Sequence, residues 1–96
     1  NIAIIGYGNV GKHYVEQISH FKEIKKIFIV DENRNISIKK NRSLKAKNII
    51  KIDFNKIHNL KIDYAIICTP SGSHFYYAKF FSRLQIILEI VWIRTR

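Results

Sequence analysis

The sequence predicts an α/β fold, a doubly wound parallel sheet of five strands in the order 3-2-1-4-5, and three observations carry that expectation. Apolar runs such as Ile2–Ile5, Ile27–Val30 and Ala65–Cys68 are unbroken rather than alternating, which is the pattern of parallel strands buried on both faces. Segments with apolar residues at helical spacing separate these runs, so strand and helix alternate along the chain. The first apolar run passes directly into Gly6-Tyr7-Gly8-Asn9-Val10-Gly11, a glycine-rich turn leading into a helical pattern. Right-handed crossovers then give the stated strand order.

The first strand is Ile2–Ile5. A helix is expected over 10–21, because Val10, Tyr14, Ile18 and Phe21 fall on one face while Lys12, Glu16 and Lys22 point elsewhere. The second strand is Ile27–Asp31. Between Glu32 and Asn48 the pattern weakens to Ile36, Ile38, Leu44 and Ala46, which reads as a basic loop or one short helix. Ile49–Ile52 makes a third strand, and Phe54, Ile57 and Leu60 repeat at helical spacing for about two turns. The fourth strand, Asp63–Pro70, is halted by the chain's only proline. Ser71 or Ser73 caps the next helix, which runs to Leu84 with Phe75, Ala78, Phe81 and Leu84 inward, and Ile86–Ile90 is the fifth strand. Residues 1–90 thus make one domain, with 91–96 an unmatched tail.

The glycine turn carries the chemistry. Gly6 permits the tight turn off the strand, Gly8 lets a pyrophosphate approach the backbone, and Gly11 lets the helix pack closely on the sheet. A diphosphate would sit where free N–H groups and the positive end of the helix converge, so Tyr7, Asn9 and Val10 join the three glycines as candidate binding residues. Asp31, at the end of the second strand, is spaced to accept hydrogen bonds from a ribose hydroxyl pair. Together these form a Rossmann-like dinucleotide fingerprint. The carboxylate favours NAD; Arg34 and Lys39 or Lys40 follow closely and leave NADP open.

Composition sets the remaining bounds. The chain has 96 residues, 47% of them hydrophobic, which suits one small globular domain. The apolar runs Ile86–Ile93 and Ile62–Cys68 are short and contain Glu89 and Asp63, so no membrane span is expected, and no leader precedes the first strand. Cys68, the single cysteine, cannot form an internal disulfide, which fits a cytoplasmic setting, and an apolar mid-strand thiol is no nucleophile. The formal charge is +10, yet the lysines are scattered without interleaved aromatics, and no nucleic-acid partner is expected. His13, His20 and His58 have no partners at metal-ligand spacing and read as surface residues. Tyr7 either packs on the pyrophosphate or covers the helix start.

Gly6 to Gly11, Asp31 and the run Asp63-Tyr64-Ala65-Ile66-Ile67-Cys68-Thr69-Pro70-Ser71-Gly72-Ser73-His74 resemble the amino-terminal domain of the Gfo/Idh/MocA oxidoreductases, the glucose–fructose oxidoreductase and inositol dehydrogenase family. The resemblance covers nearly the whole chain. It implies NAD or NADP as cofactor and hydride transfer to or from a sugar or cyclitol hydroxyl. It also places Thr69, Pro70, Ser71 and His74 on the nicotinamide side of the cleft, although His74 also reads as a first-turn residue facing solvent. The family follows its fifth strand with Glu-Lys-Pro, whose lysine serves catalysis. Here Glu89 matches, whereas Ile90 and Val91 stand at the lysine and proline positions. Trp92 to Arg96 match nothing in the pattern, as a frameshift or truncation would produce. The family's second α/β domain, which supplies the substrate pocket, does not follow, so the chain reads as an inactive fragment of an enzyme that is a homo-oligomer at full length. A non-catalytic dinucleotide-sensing domain is the alternative reading.

Overall fold

A computed structural model describes residues 1–33 and 48–91. Strand β1 (Ile2–Ile5) leads to helix α1 (Asn9–Ile18), then strands β2 (Lys26–Val30) and β3 (Asn48–Lys51), a 3₁₀ segment at Phe54–Asn59, strand β4 (Tyr64–Ile67), a short 3₁₀ turn at Ser71–Ser73, helix α2 (His74–Arg83) and strand β5 (Ile87–Ile90). All pairings are parallel and the order is β3-β2-β1-β4-β5. The central β1 aligns Ile5 with Val30 on one side and with Ile67 on the other, so three strand tips end level. That shared edge is the topological switch point, where consecutive crossovers leave to opposite faces and a crevice opens.

The unbroken apolar strands bury both faces, as parallel strands under helices do. On the α1 face Ile4, Val15, Ile27, Ile29 and Ile66 form one core; on the α2 face Ala3, Ile5, Phe28, Ile67, Tyr77 and Phe81 form the other. No helix among the described residues is long and apolar enough to cross a membrane.

Several helical expectations shift. α1 stops at Ile18, where Ser19 Oγ donates to the Glu16 carbonyl at 2.7 Å and the chain turns. Phe21 therefore lies beyond the helix and is 56% exposed, while the inward stripe centres on Gly11 and Val15. In α2 the buried residues are His74, Tyr77 and Phe81. Phe75, expected inward, is 77% exposed, and Leu84, past the helix end, is 41% exposed. The phase is set by His74, which turns into the protein at the first helical position. Gln85 reverses the chain behind α2 with φ 57°, in the left-handed region common just past a helix. Phe54 to Asn59 forms 3₁₀ rather than α turns, with Ile57 as its buried anchor. The basic stretch 34–47 and residues 92–96 lie outside the described residues, and with them the loop-or-helix expectation and most of the tail.

Candidate functional site

The site grows from the three level strand tips. β1 ends at Ile5, and Gly6 turns away with φ 98°, a conformation L side chains rarely adopt. Its N–H donates to the Val30 carbonyl at 2.7 Å, while Cys68 N–H donates to the Ile5 carbonyl at 2.7 Å, tying the tips of β2, β1 and β4 together. Gly11 packs so closely on this turn that a Cβ there would lie 2.0 Å from the Gly6 carbonyl oxygen. At Gly8 a Cβ would meet nothing within 4 Å. The three glycines therefore answer three different demands: a turn, a close approach, and open space for a ligand.

Gly8 caps α1 without a side-chain hydrogen bond, and no acidic residue occupies the first turn. Lys12 N–H is the first to bond back along the helix, to Gly8 O at 2.9 Å, so the amides of Asn9, Val10 and Gly11 have no partner within the helix and stand at its positive end. The Asp31 carboxyl points to this loop. Its Oδ2 accepts Tyr7 N–H at 2.7 Å and its Oδ1 accepts Asn33 N–H at 2.8 Å. Each carboxylate oxygen has further lone-pair capacity, so both can still receive ribose hydroxyls.

Between the glycine turn and the end of β4 lies a cleft of about 490 Å³ whose wall includes Gly6, Gly8, Asp31, Thr69, Pro70 and Tyr77. A smaller hollow of about 330 Å³ adjoins it past Asp31 and Tyr77, bordered by Glu32, Asp53 and Asn55. The volumes, the uncapped amides and the open Gly8 fit an extended anionic dinucleotide laid over the strand tips. Of the candidate residues, Gly6, Gly8, Asp31, Thr69 and Pro70 line this cleft.

Other expected residues sit apart from the wall. Tyr7 is 7% exposed and its ring belongs to the α1-side core, with Lys12 Nζ 5.7 Å above it, so it covers the helix start. Asn9 and Gly11 open α1 as backbone; Val10 packs on the same core as Tyr7. Ser71 is exposed on the 3₁₀ turn, and Ser73 takes its place in the wall. His74 does not face solvent: it is 3% exposed, and its Nε2 lies 2.6 Å from the Thr69 carbonyl. A carbonyl can only accept, so that ring nitrogen carries a proton. Glu89 lies midway along β5 beside Ile66, and its Oε1 accepts the Tyr64 hydroxyl at 3.3 Å. Burial, then the nearby Glu89 charge, pushes the Cys68 thiol up to about 11, keeping it protonated.

Val30, Glu32, Cys68, Ser73 and Tyr77 also line the wall, and the sequence does not single them out as binding residues. Ser73 had been read only as a cap. Tyr77 would have followed from the phase 74, 77, 81, which the run of aromatics Phe75-Tyr76-Tyr77 obscures. Its ring stacks on Phe54 at 5.0 Å, so the wall is held from the 3₁₀ segment after β3.

A family model, GFO_IDH_MocA, described as an oxidoreductase family with an NAD-binding Rossmann fold, matches residues 1–90. A solved structure described as RSP in complex with beta-NADH is similar at a TM-score of 0.68 and 25% identity, over 95% of this chain and 52% of that one. The chain thus spans about half the length of that protein. No curated protein matches it.

Proposed function

We propose, for a chain that belongs to the GFO_IDH_MocA oxidoreductase family, that it forms the cofactor-holding half of an enzyme exchanging hydride between a nicotinamide and a sugar or cyclitol hydroxyl. The observation that carries this is the Asp31 carboxylate bonded to Tyr7 N–H inside the glycine turn, beside the open space at Gly8. When bound, the nicotinamide supplies the hydride chemistry itself. The protein's part is to hold and orient. The amides before Lys12 receive the diphosphate, Asp31 receives the adenosine ribose, and Thr69, Pro70 and Ser73 form the wall on the nicotinamide side. Asp31, Glu32 and Asp53 border the adjoining hollow, and three carboxylates there favour a ribose without a 2′-phosphate.

Hydroxyl oxidation also needs a group that moves a proton, within hydrogen-bond reach of the substrate. Glu89 is engaged by Tyr64 partway along β5, so we assign that role and the substrate pocket to sequence outside this chain. The full enzyme is proposed to be a cytoplasmic homo-oligomer, without nucleic-acid or membrane partners.

Fluorescence titration with NADH, NADPH and ADP-ribose tests the reading. NADH is expected to bind about tenfold more tightly than NADPH, the size of one unfavourable charge contact at a carboxylate. ADP-ribose is expected to bind more weakly than NADH. Equal affinities for NADH and ADP-ribose would favour a sensor that ignores the nicotinamide, and the absence of binding by all three would overturn the proposal.

A further inference from the structure

We infer that His74 is a positioning residue, a clasp that sets the spacing between the two loops of the cleft without touching the cofactor. The inference rests on the reading of that cleft as the NAD site. Its starting point is a histidine 3% exposed at the first position of α2, one of two buried polar residues among those described. Its Nε2–H donates to the Thr69 carbonyl at 2.6 Å, a bond reaching back across the whole β4-to-α2 turn. A second fastening lies alongside: the Ser73 hydroxyl is shared between Thr69 Oγ1 at 2.8 Å and the Pro70 carbonyl at 2.9 Å. Thr69 is thus held through both its carbonyl and its side chain, from successive residues of the following segment.

The held residue is also the one that meets the glycine turn. A Cβ on Gly6 would lie 3.0 Å from the carbonyl carbon and oxygen of Cys68 and 3.1 Å from Thr69 Cγ2. The two loops therefore run side by side with no room for a side chain between them, and a shift of Thr69 toward the turn meets Gly6. A displacement of Thr69 toward the turn is passed to Gly6 at this near-contact. The path runs from the His74 ring through the Thr69 carbonyl and methyl to Gly6, and two residues of the cleft wall, Gly6 and Thr69, lie on it. The ring is buried and is not among the residues that line the cleft.

The test compares the full chain with His74→Ala and His74→Gln, the glutamine amide replacing the Nε2–H donor at similar reach. In ¹H–¹⁵N spectra, His74→Ala is expected to move the amide signals of Thr69, Gly6 and Tyr7, and His74→Gln to restore them. In titrations, His74→Ala is expected to weaken NADH and ADP-ribose, which share the diphosphate on the glycine turn, by about fivefold, roughly one hydrogen bond's worth, and His74→Gln to restore both. Unmoved Gly6 and Tyr7 signals in His74→Ala would overturn the clasp, whether or not cofactor binds. So would a failure of His74→Gln to restore those signals, which would mark a residue serving folding alone. If the parent chain shows no NADH response while the Gly6 signals move and are rescued, the cofactor reading fails and the clasp stands.

Discussion

Replacing each glycine of the turn by alanine separates residues that shape the fold from one that leaves room for a ligand. Gly6→Ala forces a Cβ into φ 98° and against the Cys68 carbonyl, and is expected to cost about 1–2 kcal/mol. Gly11→Ala drives a Cβ into the Gly6 carbonyl and is expected to cost about 3 kcal/mol through overpacking. Gly8 has ordinary φ (−81°) and open space, so Gly8→Ala is expected to leave the thermal midpoint unchanged while weakening NADH. Melting curves with NADH titrations check all three, and a destabilised Gly8→Ala would contradict the assignment. The glycine roles were legible beforehand because each follows from the absence of a Cβ. The bond from Tyr7 N–H to Asp31 was not, since spacing brings a carboxylate near the loop without saying which group it meets. His74 was misjudged for a related reason: its partner is a backbone carbonyl, and carbonyls leave no mark on a sequence.

At the scale of elements, strands were easier to read than helices. An unbroken apolar run such as Ile2–Ile5 is buried on both faces, so an error of one residue in its limits changes nothing about burial. A helix buries one stripe, and an error of one residue rotates it by about 100°. In α2, six of the first eight residues are aromatic or aliphatic, Phe75 to Ala78, Phe80 and Phe81, so more than one stripe reads as apolar. The stripe that is buried runs through His74, Tyr77 and Phe81. Phe81→Ala, at a position with no exposure, is therefore expected to cost about 3–5 kcal/mol, and Phe75→Ala less than about 0.5 kcal/mol. Urea midpoints of the two variants check the phase; the reverse ranking would mean that α2 is rotated from the arrangement described. The 3₁₀ segment escaped notice because Phe54, Ile57 and Leu60 recur every three residues, a spacing that both helix types satisfy.

The molecule as a whole responds to pH and salt in directions the structure sets. Burial raises the Tyr7 and Tyr77 phenols above their usual range and pushes the Cys68 thiol up to about 11. These groups hold their protons in the folded chain after the unfolded chain has released them. Their contribution is complete below the unfolded values, about 8.5 for a thiol and 10 for a phenol, and is lost as pH rises from there through the folded values. The thermal midpoint is accordingly expected to be flat between about pH 7 and 8 and to fall above about pH 9. With a formal charge of +10, self-repulsion opposes compaction, so moderate salt is expected to raise the midpoint at neutral pH. Differential scanning fluorimetry over both variables checks these trends. The sheet order has a consequence for synthesis as well. β1 precedes the other strands in the chain but takes its second neighbour from residues 64–67, later in the chain than β2 and β3. Until the ribosome has delivered that partner, an apolar ladder stands open on the nascent chain, an invitation to chaperones or to strand exchange with another polypeptide. A nascent chain stalled after Lys51 is expected to be captured by a holdase that ignores the same chain once it extends past Val91.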